Sequence, residues 1–204
     1  MAHTRLPTGV ANDAECCCYA SKASPWPVTG TLAKSTMGAM NSNEILADLA
    51  QRPVDAVKAL PDLSAEQLNA HPAGHPNSIA WLLWHSGREI DVQHVGLTGD
   101  PQQWEDFRER FALGELGDSI GFGHTPEQAG EIRVDSQQLL VEYFEATITA
   151  LRDYMEGLSE SDLDEIIDEN WTPPVTRGVR LISIINDAIQ HVGQAAYAAG
   201  ALTK

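Results

Sequence analysis

Basic residues are scarce in this chain: 13 Lys and Arg stand against 29 Asp and Glu, a formal charge of −16 at neutral pH. An excess of that size repels phosphate backbones and anionic membrane surfaces, so nucleic acid is not expected as a partner. Long apolar runs are also missing. The longest, Ile79 to Trp84, falls far short of the roughly 20 residues that cross a bilayer as a helix, so no membrane span is expected. Cysteine is confined to the adjacent triplet Cys16, Cys17 and Cys18. Disulfide frameworks and zinc knuckles both need spaced pairs that close loops, so a reducing, cytoplasmic setting is the expectation. Alternating strand patterns are not evident, and Pro and Gly are too few for a fibrous or low-complexity chain.

What is present is a chain of 204 residues, 43% hydrophobic, the size of one domain with a substantial core. Residues 1–40 show no apolar period and no basic-then-apolar leader, and they read as a disordered tail. Met37 and Met40 stand just before the first periodic segment, so that tail also reads as lying upstream of a mis-called start. Residues 41–204 form the expected domain. Ser42 or Asn43 caps a first helix with Ile45, Leu46, Leu49, Val57 and Leu60 as apolar positions, interrupted at Pro53 by a kink or a new turn. Asn77 or Ser78 caps a second helix to about Thr98. Residues 101–134 read as a long, partly ordered excursion. Asp135 or Ser136 starts a third helix whose stripe is Leu140, Tyr143, Phe144, Thr147, Leu151 and Tyr154. A short helix over Ser159 to Leu163 and a proline-rich loop lead to a last helix, Arg180 to Ala199, closed by Gly200. Four long helices indicate an all-α, up-and-down four-helix bundle with a longer excursion between helices 2 and 3.

Three residues interrupt the apolar faces. Asp187 and His191 are four apart in the last helix and so share a face. His85 follows the apolar run of the second helix. A lone imidazole is more often a hydrogen-bonded core residue than a ligand, but two imidazoles and a carboxylate on facing helices form an open three-ligand set for a divalent metal. Arg88, Glu89 and Gln194 stand one turn from these histidines and are candidates for the surroundings of a metal: Glu89 or a backbone carbonyl could accept from a ligating imidazole, and Arg88 could equally pair with Asp91 or another carboxylate. His71, His75 and His124 read as solvated loop residues, and His94 as lying on the outer helix surface. Trp171, Arg177 and Arg180, in and after the loop before the last helix, could hold a substrate carboxylate, with solvated surface arginines as the plainer reading.

Three segments, Pro76-Asn77-Ser78-Ile79-Ala80-Trp81-Leu82-Leu83-Trp84-His85, Pro173 to Arg180, and Asp187 to His191 with Gly193-Gln194, resemble the DinB-like superfamily. The likeness is to its actinobacterial-type branch, which includes mycothiol-dependent maleylpyruvate isomerase and thiol S-transferases. The resemblance implies a four-helix bundle, often a homodimer. It also implies one metal held by a histidine of the second helix, at His85, and by two residues four apart on the fourth, at Asp187 and His191. Histidine is commoner in the superfamily at the place Asp187 occupies, although some thiol-dependent isomerases use a carboxylate there.

The function expected on this basis is a divalent-metal enzyme, with zinc or nickel first and iron or manganese next. It would act on a small-molecule substrate with a low-molecular-weight thiol such as mycothiol, as an S-transferase or isomerase. Two histidines and a carboxylate also suit Fe(II) oxygen chemistry. The alternative of another class is a non-catalytic bundle with a structural or interaction role.

Overall fold

The computed structural model describes residues 40–203; the expected tail, the cysteine triplet and Met37 lie outside them. Four long helices carry the core: α1 (Ser42–Lys58), α3 (Ile79–Thr98), α7 (Gln137–Glu156) and α9 (Arg177–Leu202). Short helices α2 (Ala65–Leu68), α4 (Trp104–Phe111), α5 (Gly114–Gly117), α6 (Pro126–Glu131) and α8 (Glu160–Leu163) occupy the connections, with a 3-10 turn at Pro72–Gly74. Two short antiparallel strands, β1 (Ile166–Asp168) and β2 (Val175–Thr176), pair Ile166 with Thr176 and Asp168 with Val175.

Local chemistry sets the helix starts. Asn41, one residue earlier than expected, caps α1: its side chain accepts from Glu44 N at 2.9 Å while Glu44 accepts from Asn41 N at 2.9 Å, a reciprocal capping box. Ser78, Ser136 and Thr176 cap α3, α7 and α9 through their hydroxyls. Gly99, with φ of 78°, closes α3 by donating to Val95 O. The first helix runs unbroken through Pro53, and Ile45, expected in the core, is exposed while Ala50 and Val54 are buried. The last helix is longer than expected at both ends, because Thr176 supplies a cap before Arg177 and Gly200 lies inside the final turns.

Side-chain contacts give the helix directions. Lys58 reaches Glu145 and Arg152 reaches Gln51, so α1 and α7 are antiparallel. His85 meets His191 in α9, where each helix has α1 or α7 as its other neighbour, and α3 packs on both α7 and α9. Asp91 bonds Tyr143 whereas the later His94 packs on the later Tyr154, so α3 and α7 run the same way. The long connection between them makes this parallel arrangement, since it must carry the chain back along the bundle.

That connection is more ordered than its glycine content suggested. Trp104 and Phe111 are buried, and both rings pack on Tyr143 at 5.5 Å. Asp91, itself 1% exposed, accepts the backbone N–H groups of Gln103 and Trp104, both at 2.8 Å. It thus satisfies the start of α4 from a neighbouring helix, where a local cap is missing. No described helix is long and apolar enough to cross a membrane.

Candidate metal centre

The second and last long helices bring two imidazoles together. The rings of His85 and His191 lie 4.8 Å apart at 75°, and Trp81 stacks on His85 at 4.4 Å. His85 Nδ1 bonds the Ile120 carbonyl. His191 Nδ1 meets Gln194 Oε1 at 3.1 Å, and its Nε2 lies 3.6 Å from Asp187 Oδ1. An acceptor on Nδ1 fixes an imidazole as the tautomer whose Nε2 lone pair is free, the form that ligates a metal. Both rings are held in this way.

Asp187 is less enclosed than its apolar helix suggested, with its side chain 40% exposed. Of the two acceptors expected for His85, Glu89 or a backbone carbonyl, the carbonyl of Ile120 takes the place, because the 118–124 loop folds over α3. Instead the Glu89 carboxyl shares the electrostatic space of Asp187 and His191: burial raises its pKa, Asp187 raises it further, and Gln93 and His191 act against the rise. Burial likewise lowers the pKa of His85, with the Ile120 bond opposing, His191 and His124 reinforcing and Asp187 opposing. His85 is therefore neutral at neutral pH and has no proton to displace before ligating.

Arg88 stands behind this arrangement rather than in it. Its side chain is 2% exposed and pairs with Asp91 at 3.5 Å. Nε donates to Ser119 O at 3.1 Å, Nη2 to Asp118 O at 3.1 Å, and Nη1 to Gln102 Oε1 at 2.8 Å. The guanidinium also lies 4.8 Å from the Trp104 ring centroid. These bonds pin the loop that carries Ile120. Tyr143 completes the network, its hydroxyl donating to Asp91 at 2.9 Å, and burial raises its pKa.

Two histidines lie elsewhere than expected. His124 packs against Trp81 and Trp84, and its Nε2 meets Ser119 Oγ at 2.9 Å; burial lowers its pKa. It borders the centre because the loop turns at Gly121. His94 is 5% exposed rather than on the outer surface, because the chain entering α4 and the end of α7 cover that side of α3. The pairing of Arg88 with Asp91 is among the readings of the sequence; the tight backbone passage at Gly121 and the loop carbonyls that Arg88 holds were not legible, their only local signal being the glycine-rich run.

The loop arginines are engaged within the connector. Arg177 pairs with Glu165 and donates to the Tyr154 hydroxyl, while Arg180 pairs with Asp168 at 3.3 Å. Trp171 is 63% exposed. None of the three contacts the imidazole pair among the described residues.

The donor set has the chemistry of a metal centre: two oriented imidazoles, an adjacent Asp187 and a nearby Glu89. The side chains are not drawn together as tightly as a bound ion would draw them. Among the described residues no three His, Cys, Asp or Glu side chains form a closed ligand group.

The DinB superfamily matches this chain over residues 48–195. A conserved protein from Enterococcus faecalis, known from a crystal structure, is similar with a TM-score of 0.72 and 35% sequence identity. The likeness covers 79% of this chain and 96% of that one. No curated protein matches.

Proposed function

The chain belongs to the DinB superfamily, and from that premise we propose that it is a divalent-metal-dependent enzyme with His85, His191 and Asp187 as ligands. The observation that carries this reading is the orientation of the two imidazoles, each with Nδ1 engaged by an acceptor and the rings 4.8 Å apart. Zinc or nickel suits the set best, with iron or manganese accepted by the same donors. Glu89 stands one helical turn from His85, its carboxyl raised by burial; it takes up a proton released in the site more readily than an ordinary glutamate. Trp81 covers one face of His85 and keeps that ring from solvent.

A bound ion in such a centre supplies a Lewis acid that holds a low-molecular-weight thiol as its thiolate, or water as hydroxide. The thiol-dependent branch, with transfer of the thiol to a small electrophile or thiol-assisted isomerisation, is our choice between them, with mycothiol as the thiol and the cytoplasm as the reducing setting. It rests on the resemblance in Pro76 to His85 and in Asp187 to Gln194. We take the active species to be a homodimer on the same ground.

A second reading is favoured by one observation. The absence of a closed three-ligand group among the described residues suits a non-catalytic bundle that keeps these side chains as a polar network. Elemental analysis of the purified chain, loaded with zinc, nickel, iron or manganese and dialysed against metal-free buffer, separates the two. About one ion per chain, lost in His191→Ala, supports the enzyme. Loading that is absent from both proteins removes it. With cobalt in the site, a thiol that ligates changes the visible spectrum, and an unchanged spectrum across the common cellular thiols rejects the thiol-dependent branch.

A further inference from the structure

The outward face of α9 is unlike the rest of the surface. Of the nine large hydrophobic side chains exposed among the described residues, four stand on this helix: Val179 and Ile182, each 53% exposed, Ile189 at 37% and Tyr197 at 83%. They recur at steps of three, seven and eight residues and so form one stripe. By the rise of an α-helix it is about 32 Å long from Val179 to Gly200. None of the exposed positions of α9 is charged. The charged residues of the helix are turned aside, Arg177 to Glu165, Arg180 to Asp168 and Asp187 to His191. The exposed positions of α1 and α7, by contrast, include Glu44, Arg52, Asp55, Lys58, Asp153 and Glu156.

Two glycines in the same stripe are an independent observation. Gly193 and Gly200 lie within the helix, where glycine is less stable than alanine. Neither has a positive φ, and a Cβ at either would meet nothing within 4 Å. The packing of one chain therefore gives no reason for them. A second backbone laid against the helix does, since the missing Cβ lets it approach closely.

Charge selects the occupant. A basic partner would seek the carboxylates that this face lacks. Two copies of a chain at −16 repel each other over most of their surface, and a face free of charge is where they can meet without that cost. The stripe is also complementary to itself. With two copies of α9 antiparallel about a two-fold axis between Ile189 and Gln190, Val179 falls opposite Gly200, Ile182 opposite Tyr197 and Asn186 opposite Gly193. A larger side chain meets a glycine in two of these pairs, and in the third an aliphatic side chain meets a phenol ring, the self-matching that a two-fold interface requires. We propose that a second copy of this chain docks on this face, α9 against α9 and antiparallel. The proposal gives a surface to the homodimer read above and rests on that reading for the number of copies. The metal ligand His191 is turned to His85 on α3, away from the stripe.

The test is analytical sedimentation of the full chain and of three variants, Ile182→Asp, Tyr197→Lys and the two combined, with circular dichroism to confirm that each is folded. Both side chains are exposed, so the substitutions leave the core intact. The wild-type chain is expected to be a dimer, and each single variant to raise its dissociation constant tenfold or more. In the double variant the aspartate of each copy faces the lysine of the other, while within one chain the two stand about 22 Å apart along the helix, too far to pair. Dimerisation is therefore expected to recover. A dimer that the single variants leave unchanged overturns the face and leaves the homodimer reading standing. A monomeric wild type overturns both. Single variants that dissociate, with no recovery in the double variant, overturn the antiparallel pairing.

Discussion

Gly121 carries a demand that no other residue type meets at its position. Its φ is +84°, and a Cβ there would lie 2.9 Å from His85 Nδ1, 2.9 Å from the Trp84 ring and 3.2 Å from that of Trp81. Gly121→Ala therefore strains the backbone and pushes the His85 ring away from the Ile120 carbonyl. The strain at such a φ costs about 1–3 kcal/mol, read as a lower urea midpoint. Metal loading of the variant falls with it, because the lost acceptor leaves the tautomer of His85 free. A variant that keeps wild-type midpoint and loading would show that the loop does not position the ring. His85 and His191 were legible in the sequence as imidazoles on apolar helical faces. Ile120 was not, since it acts through its backbone carbonyl, and the identity of a side chain says nothing of where that carbonyl points.

Between elements, α3 meets the Tyr143 side chain of α7 tightly at Gly87. A Cβ on Gly87 would meet the Tyr143 ring at 2.7 and 2.8 Å, and Tyr143 cannot swing aside freely. Its ring is fully buried among Trp104, Phe107 and Phe111, and its hydroxyl is bonded to Asp91. Gly87→Ala gains about 1 kcal/mol of helix propensity and loses about 1–3 kcal/mol to overpacking, so a net loss in urea stability is expected. Stability equal to or above wild type would mean that α7 moves outward without cost. The long helices and two of their caps, Ser78 and Ser136, were readable because periodicity and a serine at the cap position are local properties. The two short strands were not: a three-residue strand is too short for an alternating pattern to emerge. Their pairing is made instead by the turn between them and by the Arg177 and Arg180 ion pairs with Glu165 and Asp168.

At the scale of the whole described chain, the helical bundle followed from composition and helical period, but the parallel run of α3 and α7 and the coverage of His94 depended on where residues 101–134 fold. That information sits in long-range partners such as Asp91 with the α4 backbone. Enclosing His85, His94 and His124 has a consequence for the response to acid. Burial lowers the pKa of each below its ordinary 6.5. Between 6.5 and the lower folded values the unfolded chain binds more protons than the folded one, so stability falls as pH drops through that window and is unaffected by these groups above it. The formal charge of −16 pulls the other way, since acidification relieves the self-repulsion of the folded state. Salt separates the two effects: the Debye length shrinks to about 3 Å at 1 M ionic strength, which screens surface repulsion while leaving burial in place. Urea unfolding of the metal-free protein at high salt is therefore expected to show a stability that is flat above pH 6.5 and declines below it. His124→Gln, at the most accessible of the three rings, should reduce the slope. Glu89, whose carboxyl is raised by burial, acts the other way on acidification, so the His124→Gln comparison decides: an unchanged slope would mean that this imidazole does not carry the decline.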